Sequence, residues 1–259
     1  MARGEENEKN STGDNNMTTK PTLGKLRPDQ IRLQTLPELP AGLIDGFKSL
    51  ADLTGTISDA CDLLGIDCVV PAIELPPVVR GNRIVGPALT VRNIARTTQI
   101  HKAVTEGKNT MGETEAHNIA KPGDVLVIEG LTGCSNMGGQ TASIGRRQGE
   151  IGAIIDGTIR DPDHYYNAGW PVWCRGFTPI TGKWRLQTVE VNGPVHIAGV
   201  QVNPGDIVCA DDAGICFIPL AQAAEVLEVC LRFDKGDAKR MADIQSGASV
   251  ADLVQRKYK

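Results

Sequence analysis

Lys121-Pro-Gly-Asp-Val-Leu-Val-Ile-Glu129 runs into Gly130-Leu-Thr-Gly-Cys-Ser-Asn-Met-Gly-Gly139, and the chain turns apolar again at Ile151-Gly-Ala-Ile-Ile-Asp156. Pro122-Gly123 is a turn signal. The four apolar residues after it, Val125 to Ile128, predict a short buried strand. The glycine-rich stretch predicts a loop that opens a helix over residues 140–149. Ile151 to Asp156 predicts the next strand, closed by Gly157. Asp161-Pro162 suits a helix start, with Pro162 at the first helical position and a stop near Gly169. Pro171-Val-Trp-Cys-Arg175 predicts another strand. Strand, loop, helix, strand, helix, strand is the pattern of an α/β unit with parallel strands.

Outward from this unit the pattern changes. Residues 188–191, 195–197, 200–202 and 207–209 are short apolar runs separated by Asn-Gly, Ala-Gly and Pro-Gly turns, which predicts antiparallel pairing. A long helix is expected from Pro219 to about Phe233, and a more polar helical segment, carrying Gly247, over 237–257. Upstream, Arg83 to Arg92 reads as a strand with a bend or edge at Gly86-Pro87. Residues 28–65 read as helical. There Ser58 or Thr56 serves as N-cap, Asp59 lies near the positive end and Gly65 is the stop. Residues 1–22 are polar and nearly free of apolar side chains, so a disordered tail is expected, and Met17 could be the real start. Residues 23–259 then form a single domain.

The 259 residues carry 27 Lys+Arg against 31 Asp+Glu, a net charge of -4, which argues against a dedicated nucleic-acid binder. Hydrophobic residues are 41% and aromatic residues 4%, so Val, Ile, Leu and Ala must build the core. No apolar run approaches the roughly 18–20 residues that cross a bilayer. The N-terminus has no apolar stretch of the secretory kind. Seven cysteines without a CxxC or a Cys/His zinc spacing read as reduced, buried thiols, and a cytoplasmic location is expected. Cys134, in the glycine-rich loop, is the best candidate for a reactive one.

Two stretches can carry chemistry. Backbone N–H groups at the start of the 140–149 helix can bind an anion, and Gly138-Gly139 permits close approach; the same glycines also fit a plain tight turn. The loop matches neither the dinucleotide fingerprint nor the phosphate loop. Asp156-Gly-Thr-Ile-Arg160-Asp161 follows an apolar strand, where α/β folds place ligands. Arg160 can grip a carboxylate and Asp161 can hold a hard divalent cation. Taken alone, the pair also fits a surface ion pair and helix cap.

The spacing of Gly139 and Arg160-Asp161, with twenty residues between Gly139 and Arg160, resembles the signature of the RraA-like proteins. These include regulators of ribonuclease E activity and class II pyruvate aldolases acting on 4-hydroxy-4-methyl-2-oxoglutarate. Ser58-Asp59-Ala60, Gly86-Pro87-Ala88, Gly123 to Val127, Arg175-Gly176, and Pro204 to Val208 with Asp211, Asp212 and Gly214 are similar too. The resemblance covers about residues 45–250. It implies an α/β sandwich of the swivelling phosphohistidine-domain type, with a mixed sheet that includes an antiparallel portion, assembled as a homotrimer or homohexamer with sites at subunit interfaces.

It also implies a metal-dependent lyase that cleaves a 4-hydroxy-2-oxo acid to pyruvate and a carbonyl product, and that decarboxylates oxaloacetate. In that reading Asp161 is the metal ligand, Arg160 stabilises the enolate oxygen, and N–H groups around Gly138, Gly139 and Gln140 hold the pyruvyl carboxylate. Lys183 meets the far carboxylate, and Asp237 enters from a neighbouring subunit. The cation is expected to be Mg²⁺. The family's last acidic position falls on His164, with Asp163 one residue early; an imidazole ligand there would suit Mn²⁺, Co²⁺ or Zn²⁺ better. A sugar-acid isomerase or dehydratase and a non-catalytic ribonuclease inhibitor are the alternatives. His101, His117 and Glu113 receive no role, and Asp206 and Asp211 are expected to cap turns.

Overall fold

The computed structural model describes residues 20–33 and 37–259. The expected disordered tail lies outside the described residues up to position 19. Lys20 and Pro21 are described: Lys20 Nζ donates to Ala120 O at 3.1 Å, and Pro21 O accepts from Asn118 Nδ2 at 2.7 Å. The chain then forms α1 (Leu43–Lys48), α2 (Leu53–Leu64), β1 (Val69–Pro71), β2 (Ile84–Ala95), α3 (Ile100–Thr105), α4 (Glu113–Ile119) and β3 (Val125–Glu129). Next come α5 (Gly139–Gln148), β4 (Gly152–Ile159), α6 (Pro162–Ala168), β5 (Val172–Phe177), β6 (Leu186–Val191), β7 (Val195–Ile197) and β8 (Val200–Val202). β9 (Ile207–Ala210), β10 (Gly214–Ile218), α7 (Ala223–Gln245) and α8 (Val250–Gln255) complete it.

This is a mixed α/β fold. Its main sheet has the order β1-β10-β9-β2-β3-β4-β5, with β6 also on β2 and β7-β8 as a separate hairpin. β2, β3, β4 and β5 pair in parallel, whereas β1, β10, β9 and β2 pair antiparallel. β2 is the pivot: Ile84–Pro87 pair with β9, and Ala88–Arg92 pair with β3. Pro87, which lacks an N–H, sits where the strand changes partner. Gly86 is required there, since a Cβ would lie 3.0 Å from Ile151 Cδ1 and collide with Gly123 O.

Three apolar layers follow from period-two alternation. Leu89, Val91, Leu126, Ile128, Ala153 and Ile155 point to the face covered by α4, α5 and α6. Val125, Val127, Ile154 and Trp173 point to the opposite face, under the β7-β8 hairpin. α1, α2 and α7 cover the antiparallel strands. Burial on both faces explains why β3 reads as an unbroken apolar run.

Several local expectations are corrected. Among its described residues the 28–65 segment is α-helical only over α1 and α2, after a 3₁₀ turn at Pro28–Gln30; Pro37 and Pro40 lie before α1. The cap of α2 is Asp52, whose side chain accepts from Gly55 N, so Thr56 and Ser58 lie inside the helix; Gly65 ends it in the left-handed conformation. β4 does not stop at Gly157 but continues to Ile159, because a loop pairs alongside it. β1 and β10 were not foreseen. The expected 219–233 helix continues past Phe233 to Gln245 as the 23-residue α7, and the remainder of the second segment, past Gly247, forms the separate α8; Gly236 leaves room for the Tyr258 main chain to cross α7. Asp206 does cap a turn, accepting from Asn203 N and Leu220 N. Asp211 also caps a turn, accepting from Ala213 N between β9 and β10, and in addition accepts from Thr54 N and Oγ1 on α2.

Candidate active site

Beyond Ile155, β4 is flanked by the glycine-rich loop. Gly130 N donates to Asp156 O, Thr158 N to Leu131 O, and Asn136 N to Thr158 O. Asn136 holds this loop from inside. Its Oδ1 accepts from Leu131 N at 3.0 Å and Asn93 Nδ2 at 3.3 Å, and its Nδ2 donates to Leu131 O and Thr158 O. Asn93 in turn accepts from Thr188 Oγ1, which accepts from Gly112 N. The side chain is fully buried and satisfied, so the loop is rigid by hydrogen bonding rather than by apolar packing. Sequence reasoning missed Asn136. Its signal is the glycine pair Gly130 and Gly157, where a Cβ at either position would strike the Asn136 amide.

Arg160 and Asp161 emerge from β4 directly below the start of α5. Arg160 N donates to Met137 O. Asp161 sits in the left-handed conformation, φ 65 and ψ 55, as the N-cap of α6; aspartate tolerates that region better than most residues. The turn folds its carboxylate back, so that Oδ2 accepts from Gly139 N at 2.9 Å and lies 3.5 Å from Arg160 Nε. Both side chains are partly exposed, Arg160 at 36% and Asp161 at 46%.

The paired glycines now have a physical reason. A Cβ on Gly138 would lie 3.0 Å from Asp161 Oδ2 and 3.1 Å from Arg160 Nε. On Gly139 it would lie 2.6 Å from His164 Cγ. Gly139 N–H is therefore already committed to Asp161. Gln140 N and Thr141 N, the next groups at the positive end of α5, have no protein acceptor among the described residues.

His164 faces α5 rather than Asp161: its Nε2 meets Ser143 Oγ at 2.7 Å, and its ring stands edge-on to Tyr165. Asp163 is exposed in the first turn of α6. Among the described residues no three His, Cys, Asp or Glu side chains are grouped to hold a metal ion. Lys183 sits in the neighbouring loop, whose Thr181 bridges to Ser135 and whose Lys183 O accepts from Thr110 N. Its exposed side chain contributes positive charge near the buried Glu113. Burial holds that carboxyl above the usual range, against its own backbone N–H, His117, Lys25 and Lys183. Asp237 lies on α7, where it pairs with Lys259 at 3.0 Å. Cys134 is buried, and burial raises its thiol more than nearby Arg185 lowers it, which does not favour the thiolate. His117 is buried beside Glu150, Nδ1 to Oε1 2.8 Å, and His101 lies on α3.

Residues 54–217 match the profile of the RraA-like family, described as Aldolase/RraA. The chain belongs to the RraA-like family. Protein DlpA of Legionella pneumophila is 30% identical over 224 residues, covering 85% of this chain but 34% of its own length. The chain thus spans about a third of that relative. A Halalkalibacterium halodurans protein, named as a candidate 4-hydroxy-4-methyl-2-oxoglutarate aldolase, is 30% identical over 72% of this chain and 82% of its own. Among solved structures, an uncharacterized protein of Pseudomonas syringae superposes with a TM-score of 0.71 at 26% identity, over 85% of this chain and all of that one. Streptomyces coelicolor RraAS2, described as an unusual member of the RNase ES inhibitor RraA family, has a TM-score of 0.63 at 26% identity, over 82% and 100%. The mixed sheet is thus the architecture of RraA-like neighbours, and Arg160-Asp161 of this RraA-like chain falls within the matched region. No helix among the described residues is long and apolar enough to cross a membrane.

Proposed function

We propose that this RraA-like protein is a divalent-metal-dependent lyase that cleaves a 4-hydroxy-2-oxo dicarboxylic acid to pyruvate and a carbonyl product. The observation that carries the reading is the Asp161 carboxylate, folded back by a left-handed turn against the start of α5 and beside Arg160. The naming of relatives as candidate aldolases supports it.

A hard cation fits Asp161 on the chemistry of the donors. Its Oδ1 is used by no protein donor among the described residues and the side chain is half-exposed, which suits an ion held by one carboxylate, waters and substrate. When bound, the cation lends positive charge to the oxygens of the 2-oxo acid. This all-oxygen set suits Mg²⁺ best and also Mn²⁺, whereas an imidazole ligand favouring Co²⁺ or Zn²⁺ would require His164 to leave Ser143 and turn toward Asp161.

The chain's own residues supply the rest. Gln140 and Thr141 N–H groups hold the pyruvyl carboxylate at the positive end of α5. The Arg160 guanidinium faces the oxygen that gains charge when C3–C4 breaks. A water oriented by a carboxylate takes the 4-hydroxyl proton. The bond electrons pass into the enolate of pyruvate, C4 becomes the carbonyl, and C3 is then protonated. Lys183 meets the distal carboxylate. Asp237 would act from a neighbouring subunit of a trimer or hexamer. Oxaloacetate loses carbon dioxide through the same enolate.

The test is pyruvate release from oxaloacetate and a panel of 4-hydroxy-2-oxo acids after metal stripping and re-addition of each cation, with Asp161→Ala as control. Metal-dependent pyruvate that vanishes in the variant supports the reading. Folded protein that releases none from any substrate overturns it. A second reading, a protein that binds and inhibits an RNA-processing enzyme, rests on the likeness to RraAS2. Inhibition of ribonuclease activity that persists in Asp161→Ala would favour it.

A further inference from the structure

Five of the seven cysteines, Cys61, Cys68, Cys209, Cys216 and Cys230, share the core beneath α1, α2 and α7. They are not alike. Cys216 Sγ and Cys230 Sγ point at the helix carbonyls Thr54 O and Thr56 O, at 3.7 and 3.9 Å. Burial pushes Cys209 and Cys216 well up and Cys230 up to about 12, so these thiols stay protonated. Cys61 and Cys68 face each other instead, with Sγ atoms 3.2 Å apart. That is about 1.2 Å beyond the length of a disulfide bond, roughly 2.0 Å. The S–H of Cys68 points at Cys61 Sγ, which lowers the Cys61 thiol toward its thiolate against the effect of burial.

The segment between them is thin. Cys61 lies in the last turn of α2 and Cys68 immediately before β1, and Asp62, Leu63, Gly65 and Asp67 between them are exposed. The helix ends at Gly65 in a left-handed turn whose N–H groups bind back to Cys61 O and Asp62 O. Fraying of this single turn would open a path to Cys61, while Cys68 O stays tied to β10 by the Phe217 N–H.

We propose that Cys61 and Cys68 are a reversible thiol-oxidation site, closing a disulfide that ties the end of α2 to the start of β1. With a peroxide as oxidant, the Cys61 thiolate attacks one peroxide oxygen, the O–O bond breaks, and Cys61 becomes a sulfenic acid as the first water leaves. Cys68 sulfur then attacks Cys61 sulfur and displaces the hydroxyl as a second water. Two thiols lose two protons and two electrons, and the peroxide is reduced to two waters.

The stretch Ser49–Arg80 contains no lysine or arginine before its last residue and carries these two cysteines alone. Whole native protein is exposed to graded hydrogen peroxide, alkylated under denaturing conditions, digested with trypsin and weighed. The Ser49–Arg80 peptide should lose two hydrogens and resist alkylation at peroxide doses at least about tenfold below those that affect any other cysteine, with recovery in dithiothreitol. Cys68→Ser, which keeps a hydroxyl donor toward Cys61, should leave a Cys61 sulfenic acid that dimedone captures, and Cys68→Ala, which removes the donor, should leave less of it. Full alkylation of this peptide while other cysteines oxidise first would sink the proposal. So would an irreversible sulfinic acid at either position in the wild-type chain.

Discussion

The parallel half, β2 to β5 with α4, α5 and α6, and the antiparallel half, β1, β9 and β10 with α1, α2 and α7, are built by opposite means. The antiparallel half is mainly an apolar core of Leu43, Phe47, Leu50, Ile57 and five thiols, with Thr54, Thr56 and Asp206 its buried polar side chains. The parallel half buries apolar side chains as well, but threads polar groups through them: Asn93, Glu113, Glu115, His117, Asn136, Glu150 and Thr188 are all buried there. Glu115 accepts from Leu23 N and Lys25 N, fastening the N-terminal segment to α4. His117 and Glu150 are paired with both side chains fully buried, and His117 Nε2 and Glu150 Oε2 have no hydrogen-bond partner among the described residues. Apolar packing tolerates small shifts, whereas a buried polar network fixes one geometry. The half that carries Arg160 and Asp161 is the one held in that second way.

The contrast can be broken in several places. The largest effect is expected from Asp161→Ala, a loss of pyruvate release on the order of 10³-fold with an unchanged melting profile, since the side chain is half-exposed. A comparable loss of stability with activity retained per folded molecule should come from Phe47→Ala in the antiparallel core, about 3–5 kcal/mol by denaturant titration. His117→Ala strands the Glu150 carboxylate in the parallel half and should also cost about 3–5 kcal/mol; a near-neutral result would mean that the pair does not carry charge. Gly139→Ala drives a methyl into His164 and should cost about 1–3 kcal/mol together with activity. Adding His164→Ala should recover the stability.

The smallest effect concerns pH. Burial pushes the Asp124 carboxyl, at the entrance to β3, up to about 6, against the Lys121 N–H it accepts. Its unfolded value is about 3.9. The folded state therefore binds more protons between those values, and stability falls as pH rises through this window. Asp124→Asn should flatten that part of the melting-temperature profile, removing a slope worth on the order of 2 kcal/mol. A profile as steep in the variant as in the wild type would assign the slope to another group.

Much of this was legible beforehand. Val125 to Ile128 and Ile151 to Asp156 announced buried parallel strands because both faces of each are covered. Gly65, Gly149 and Gly169 announced helix ends because each stands in the left-handed region. The cap of α2 was misread because Asp52, Thr56 and Ser58 are all good caps and only the position of Asp211 beside Thr54 places the helix start. β1 and β10 stayed hidden because β1 has only three residues and the five-residue run of β10, buried throughout, shows no alternation.

At the site, Gly139, Arg160 and Asp161 were visible because their spacing is local to one loop, one helix and one strand. The direction of His164 was not, since it depends on how α6 packs against Ser143 of α5, and the role of Asn136 was not, since it depends on Asn93 of β2. Period and turn chemistry act over a few residues and so leave their mark in the order of amino acids. Which side chains meet across β2, β3 and β4 depends on strand register and loop closure, and neither exists until the chain has folded.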